Sequence, residues 1–472
     1  MGRQPKSPCT AFPPKRKTAL ALMEYIEFSK YSQKPSKTDY KVIFMKKFME
    51  CQKANENVMY SQEKYWLWSE NHWKIVDSIK IMQYLENRCI EAGMPAVMIW
   101  DVKFQKDLLE QFEFNAYRDT KKNELRVNLI NGTVEINLDD EQDIEVLFRE
   151  HRKDDFLTYV LPYNYDITAK CPKFKAFFNQ VQPEEMFRNI ILEFLGWVFI
   201  PTSMLKLEKT VILKGEGSNG KSVIFDIVRA LFGKENMSYL SPKDLADERS
   251  NNMLGNSLLN YSSEFESSTL DNEQFKKVCS GEPLKVREIY GKPYNMYDYA
   301  KLMFNANNMK NIEHSYSFLR RFILIPFDVK INETEKDVNL AKKIVKEELS
   351  GIFNLVLEAM VRVWGNKAFS NINNVSKYAS QYMTQNDNIA QFIEWFGQEK
   401  GLTYKINQHN AYEEYAGFCK RFGYRSVGLY NFQKRLERYE VNFYKEGHNV
   451  YLDCNTVKMD WITEEVKMLE LD

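Results

Sequence analysis

Apolar positions along this chain fall into runs whose period changes from segment to segment, and the changes mark its elements. Residues 18–51 carry helical spacing. Two alternating runs follow, 63–68 and 73–76, separated by Ser69-Glu70-Asn71-His72, and predict a β-hairpin. Helical spacing returns over 77–114. Residues 125–130 and 133–136 alternate around Asn131-Gly132; Asn-Gly supplies the left-handed turn that suits strand twist, so a second hairpin is expected there. A helical connector covers 174–199, and apolar runs at 210–213, 257–263, 301–304 and 322–327 read as strands. Helical spacing resumes over 335–385, 389–399, 411–422 and 429–438, before two short strands at 441–444 and 449–452.

The predicted class is α/β with flanking domains. A basic tail (1–20) precedes an α+β N-terminal domain (21–172), a helical connector (173–204), a nucleotide-binding core (205–330) and a helical segment (331–385). The C-terminal domain (386–455) has the helix–helix–helix–hairpin order of a winged helix, and an acidic tail (456–472) ends the chain.

The run 210–213 leads into Gly215-Glu216-Gly217-Ser218-Asn219-Gly220-Lys221-Ser222, and apolar positions at 223, 224, 227, 228, 231 and 232 open a helix behind it. Strand, glycine loop, helix is the order a phosphate-binding loop needs. Glycines let the backbone turn its N–H groups around phosphate oxygens, and the helix start adds partial positive charge. Lys221 reaches the outer phosphates and the Ser222 hydroxyl ligates Mg²⁺. The chain is expected to bind a nucleoside triphosphate with Mg²⁺. ATP is favoured over GTP because no [Asn/Thr]-Lys-x-Asp base-reading motif follows the loop.

Such a loop needs an acid to hold Mg²⁺ through water and to orient the attacking water. Glu264, at the end of the run 257–263, is the candidate, with Glu266 close behind and the division of roles between them open. The run 301–304 delivers Asn307, placed to sense a γ-phosphate or position water, although asparagines after strands also simply make turns. Arg320 and Arg321 precede the last apolar run, where an arginine can stabilise transition-state charge in a neighbouring subunit's site.

Together these pieces resemble the superfamily 3 helicases within the AAA+ ATPases, and most of all their phage and plasmid primase–helicase branch, which includes satellite-phage and poxvirus proteins. The likeness rests on the Gly-x-Gly-x-Asn-Gly-Lys-Ser form of the loop, Asn260-Tyr261-Ser262-Ser263-Glu264, and Lys276-Lys277 before Ser280-Gly281-Glu282. It also rests on Lys301-Leu302-Met303-Phe304 with Asn307, Arg320-Arg321 before Ile325-Pro326-Phe327, and upstream on 161–166 and 169–172. The resemblance implies an AAA+ P-loop core. In it Lys221 and Ser222 bind phosphate and Mg²⁺, Glu264 is the Walker B acid and Asn307 the sensor. Arg321 is the finger acting on the next subunit, with Arg320 the substitute if the register is off by one, and Lys276 is a further contact to the neighbour's nucleotide. It implies a hexameric ring moving on single-stranded DNA, typically 3′ to 5′, and a pore hairpin over 286–294. There Arg287 and Lys292 offer charge to phosphate and Tyr290 a stacking face. Many members also carry a polymerase-type primase domain; here the lead-in region begins near residue 50, so a helicase served by a separate primase or polymerase is expected.

Charge adds little globally, since 65 basic and 65 acidic residues cancel. Nucleic-acid binding must then come from local patches. Arg3, Lys6, Lys15, Arg16 and Lys17 give the first twenty residues a basic character without an acid. Residues 401–452 hold eight basic and five acidic residues, and Lys434, Arg435 and Arg438 fall on the last predicted helix, where a winged helix meets a groove. A solvated helix face has the same spacing. Residues 453–472 reverse the balance, with two basic and six acidic residues. Seven scattered cysteines (9, 51, 89, 171, 279, 419, 454) show no Cys-x2-Cys pair, which argues against a zinc site and for a reducing compartment. No stretch is long and apolar enough for a membrane span, and no signal segment opens the chain. A soluble protein of a host cytoplasm, bacterial if the element is a phage or plasmid, is expected. The motor reading competes with an ATP-dependent origin-melting initiator, with a P-loop kinase-type enzyme, and with RNA as the track.

Overall fold

The computed structural model describes residues 23–55, 57–119, 125–138, 144–263, 265, 272–287, 293–307, 320–332, 334, 336–400, 405–439, 441–446 and 449–453. The chain divides into two compact units, 1–165 and 166–472.

In the first unit, helix α1 (Lys37–Asn55) starts later than its apolar spacing predicts. Ser36 and Asp39 explain the late start. The Ser36 hydroxyl accepts the Asp39 N–H at 3.2 Å and the Asp39 carboxylate accepts the Ser36 N–H at 2.8 Å, a reciprocal cap. Pro35 just before it disfavours helix upstream. Strands β1 (Val58–Ser61), β2 (Lys64–Trp68) and β3 (Trp73–Val76) form an antiparallel sheet in that order. The β2–β3 hairpin matches the sequence pattern; β1 was not expected. It is joined to β2 by Gln62 and Glu63, both left-handed (φ 52° and 57°), which supply the backbone of an Asn-Gly turn without its residues.

Helices α2 (Ser78–Glu91), α3 (Ala96–Ile99) and α4 (Val102–Asn115) follow. The last packs Phe112 against Phe44 and Phe48 of α1 and Leu85 of α2. The Asn131-Gly132 turn joins β4 (Leu125–Leu129) to β5 (Gly132–Leu138), and β6 (Ile144–Arg149) completes a second three-stranded sheet. Asn128, fully buried, organises this sheet: its amide donates to the carbonyls of Asn71 and Tyr159 at 2.8 and 2.9 Å.

The second unit opens with α5 (Pro172–Val181), whose first N–H groups are capped by the distant Glu348 carboxylate at 3.0 and 2.8 Å. Helix α6 (Glu185–Trp197) comes next. Then β7 (Thr210–Lys214), α7 (Lys221–Phe232), β8 (Met237–Ser238), α8 (Pro242–Leu245) and β9 (Leu259–Ser262) lead to α9 (Glu273–Cys279). A hairpin of β10 (Leu284–Arg287) and β11 (Pro293–Met296) precedes β12 (Lys301–Ala306) and β13 (Phe322–Pro326). Five of these strands form one all-parallel sheet in the order β13-β7-β12-β9-β8. Its middle strands are buried on both faces, which is why they read as unbroken apolar runs.

Helix α10 (Leu340–Asn366) packs on α6 so closely that a Cβ on Gly196 would lie 2.7 Å from the Met360 backbone. Helix α11 (Ile372–Asn386) follows. The C-terminal part has three helices, α12 (Asn388–Lys400), α13 (Gln408–Phe422) and α14 (Leu429–Leu436). An antiparallel sheet ordered β14-β16-β15 joins them, from β14 (Lys405–Asn407), β15 (Asn442–Glu446) and β16 (Asn449–Asp453). β14 was not anticipated. Phe392, Tyr415, Phe418 and Phe432 form its aromatic core.

Candidate functional site

The glycine loop leaves the C-terminal end of β7, a strand held between β13 and β12, and enters α7. Two of its glycines are demanded by the fold. Gly220 is left-handed (φ 85°), and a Cβ there would lie 2.6 Å from Val181; at Gly215 a Cβ would sit 2.3 Å from both the Asn219 amide and the Phe327 carbonyl. The first N–H groups of α7 have no partner within the helix, so the loop presents donors at a positive helix end.

Lys221 is buried (5% exposed), and its ammonium donates to the Gly215 carbonyl and, at 3.2 Å, to Asn219 Oδ1. Burial holds this lysine below the usual lysine range, and nearby Lys214 pushes the same way. Ser222 beside it is exposed. The Asn219 amide donates to the carbonyls of Glu216 (2.6 Å) and Phe327 (2.8 Å). A strap after β13 thus lies along the loop: Phe327 N–H donates to Lys214 O at 2.7 Å and Ile331 N–H to Ser218 O at 2.8 Å. Lys214 also pairs with Asp328 at 3.4 Å. The sequence placed Asn219 among the nucleotide-binding residues of the loop, but not its side-chain tie to Phe327 nor this strap. The polar residue kept amid glycines was the available signal.

The other candidate residues sort by their end of the sheet. Gly215 N–H donates to the Ala306 carbonyl at 3.0 Å, so Asn307, which is exposed, follows immediately beside the loop. β9 ends at the same edge, while Glu264 and Glu266 lie outside the described residues. Arg320 and Arg321 sit at the opposite end: Thr210, which starts β7, donates its N–H to the Arg321 carbonyl at 2.8 Å. The two arginines differ. Arg321 is buried (8% exposed) with its Nε donating to Ser280 Oγ at 2.7 Å, whereas Arg320 is exposed. Lys276 lies one turn before Ser280 on α9, on the arginine side.

Arg287 is exposed on the β10–β11 hairpin; Tyr290 and Lys292 belong to its tip, outside the described residues. The expected basic trio separates, with Lys434 and Arg435 on α14 and Arg438 past its end. Lys434 is exposed, but Arg435 is turned inward, 7% exposed, with its guanidinium 2.9 Å from the buried carboxylate of Asp387. Arg435 follows Phe432 by three residues and so shares the apolar face, which is why it is buried rather than offered to a groove. The Arg438 side chain lies outside the described residues. Among the described residues no three His, Cys, Asp or Glu converge as a metal site, and Cys89, Cys171, Cys279 and Cys419 are free thiols. No helix among them is long and apolar enough to cross a membrane.

Residues 42–183 match the family model described as D5 N terminal like, and residues 213–321 match a family of unknown function (DUF5906). Over 293 residues, 57% of this chain, the sequence is 25% identical to "Putative helicase 184R" of Invertebrate iridescent virus 6. The chain spans 28% of that relative's length. Among solved structures, the apo NrS-1 C-terminal region aligns at a TM-score of 0.49 and 12% identity, covering 85% of this chain and 97% of that one. A second apo form aligns at 0.46, covering 84% and 95%. By sequence the chain is thus similar, over part of its length, to a putative viral helicase and to the D5 N terminal like model.

Proposed function

We propose that this chain is an ATP-dependent replicative DNA helicase of a mobile element such as a phage, satellite or plasmid, working as a hexameric AAA+ ring of the superfamily 3 type. One observation carries the reading: a glycine loop ending in Lys221-Ser222 leaves the second strand of a parallel sheet ordered β13-β7-β12-β9-β8, with Asn307 beside it. The donors suit a triphosphate and Mg²⁺. N–H groups of the first turn of α7 and Lys221 would hold phosphates, the exposed Ser222 hydroxyl would ligate the metal, and Glu264 is assigned to the metal and the attacking water. When bound, Mg²⁺ neutralises charge on the transferring phosphoryl group.

Lys221 must first leave the Gly215 carbonyl, and its desolvated ammonium then interacts with phosphate more strongly than it would in water. The arginine pair lies one strand length from the loop of its own chain, about 15 Å. It can therefore complete only another copy's site, which supports hydrolysis between subunits. Of the two, exposed Arg320 is better placed to project and Arg321 to anchor. The β10–β11 hairpin would grip single-stranded DNA, and the C-terminal domain, with a winged helix's order, would add a DNA contact through Lys434. A separate primase or polymerase would supply primers.

The test is strand displacement on a forked duplex, with ATP turnover measured with and without single-stranded DNA and native mass measured with ATP. Wild type should displace the strand and Lys221→Ala should not. DNA-stimulated hydrolysis without displacement would favour the origin-melting initiator. A monomer whose turnover ignores DNA would favour the kinase-type enzyme, and preference for an RNA fork would change the track.

A further inference from the structure

Strand β13 joins the two ends of the site. It begins beside the arginine pair and continues into the strap that lies along the glycine loop. The loop is tied to that strap at a buried point, Asn219, which is 4% exposed. One face of its planar amide accepts from Lys221 Nζ at 3.2 Å; the other donates to the Phe327 carbonyl at 2.8 Å. Gly215 makes the arrangement possible, because any Cβ there would occupy the space of both partners.

Resting on the nucleotide-site reading above, we propose that Asn219 is a positioning residue that links occupancy of the loop to placement of Arg320 and Arg321. When Lys221 swings from Gly215 O and Asn219 Oδ1 to a phosphate, the amide oxygen loses its charged donor while the nitrogen stays bonded to the Glu216 and Phe327 carbonyls, so the amide can pivot about that side. Its hold on Phe327 changes with it. Among the described residues β13 is an edge strand of the sheet, bonded to β7 alone, whereas β7 and β12 are each held on two sides. A pull on the strap is therefore taken up by β13 sliding as a short rod, and its other end carries the arginines. At that end Lys209 Nζ donates to the Arg320 carbonyl at 2.6 Å and Arg321 Nε to Ser280 at 2.7 Å, contacts that shift in step with the strand.

The experiment uses the full chain, a fluorescent ATP analogue for affinity and DNA-stimulated ATP turnover at saturating ATP. Asn219→Ala should keep analogue affinity within about threefold of wild type while kcat falls about tenfold or more. Asn219→Asp preserves the acceptor for Lys221 but cannot donate to Phe327, so its kcat should fall as in the alanine variant. A structural prop for Lys221 alone would leave the Asp variant near wild type. Combined with Arg320→Ala, Asn219→Ala should add little further loss, because both act on one step. Four results each overturn the proposal: analogue binding lost as completely as in Lys221→Ala, kcat unchanged in Asn219→Ala, an Asn219→Asp variant near wild type, or losses that multiply with Arg320→Ala. Wild type failing to bind the analogue would instead refute the nucleotide-site reading itself.

Discussion

The parallel sheet and the C-terminal domain bury cations in opposite ways. In the sheet, Lys221 is held by a backbone carbonyl and an amide oxygen, and Lys301 by the Thr202 hydroxyl and the face of Trp197, 4.3 Å away. Neither pairs with a carboxylate among the described residues. In the C-terminal domain, Arg435 meets Asp387, which also accepts the Tyr439 hydroxyl and the Ile389 N–H, each at 2.8 Å. A cation neutralised inside the fold is spent on architecture. One held by neutral groups has its pKa lowered by burial, and its charged form carries a cost that the charge of a ligand would offset. On the proposed nucleotide-site reading Lys221 is the cation placed for work, whereas Arg435 is held for structure, although both stand out equally in the sequence.

The strongest way to break the comparison is Asp387→Ala. It leaves the Arg435 guanidinium buried and unpaired, and should cost about 3–5 kcal/mol, read as early hydrogen exchange across α12–α14. If exchange there is unchanged, the pair is not the clasp described. Lys221→Met should do the reverse: ATP turnover falls about 10²–10³-fold, while the thermal midpoint holds or rises because a buried ammonium is gone.

Acid sharpens the contrast in the first unit. His72 is held by burial at a pKa of about 4, against 6.5 when exposed. The stability this neutral imidazole contributes is complete above pH 6.5 and is lost as pH falls from there toward 4. Urea titrations of His72→Gln should flatten the wild-type decline in that window. Lys301 follows the same sign higher up. Burial lowers it from 10.5 to about 7, so its contribution is complete above 10.5 and is lost as pH falls to 7. Lys301→Met should therefore raise the neutral-pH midpoint and remove the slope above it. The smallest effect is expected at Lys434→Ala, which should lessen the salt dependence of DNA binding by about 0.7–0.9 in log–log slope. Arg435→Ala should act through stability instead.

What the sequence disclosed depended on whether a residue's local chemistry was unique. Asn131-Gly132 announced its hairpin because few other pairs make that turn. Gln62-Glu63 make the same left-handed turn without the usual residues, and β1 went unseen. Ser36 and Asp39 were absorbed into a longer helical pattern, although their three-residue spacing is itself a start signal. The glycine loop was legible down to Lys221 because strand, loop and helix are contiguous. Asn219's tie to Phe327 was not, since it joins residues 108 positions apart. Exposure on α14 needed a wheel, not a count: Lys434 and Arg435 looked alike until Phe432 and Leu436 fixed which face is apolar.

Gly217 differs from its loop companions. Among the described residues nothing lies within 4 Å of where its Cβ would be, and its backbone is not left-handed. The polypeptide itself places no demand on that position, so a bulkier residue there would be rejected only by something arriving from outside. A small dye attached through Gly217→Cys would then serve as an occupancy gauge, dark or bright according to whether that visitor is present, on a scaffold otherwise undisturbed.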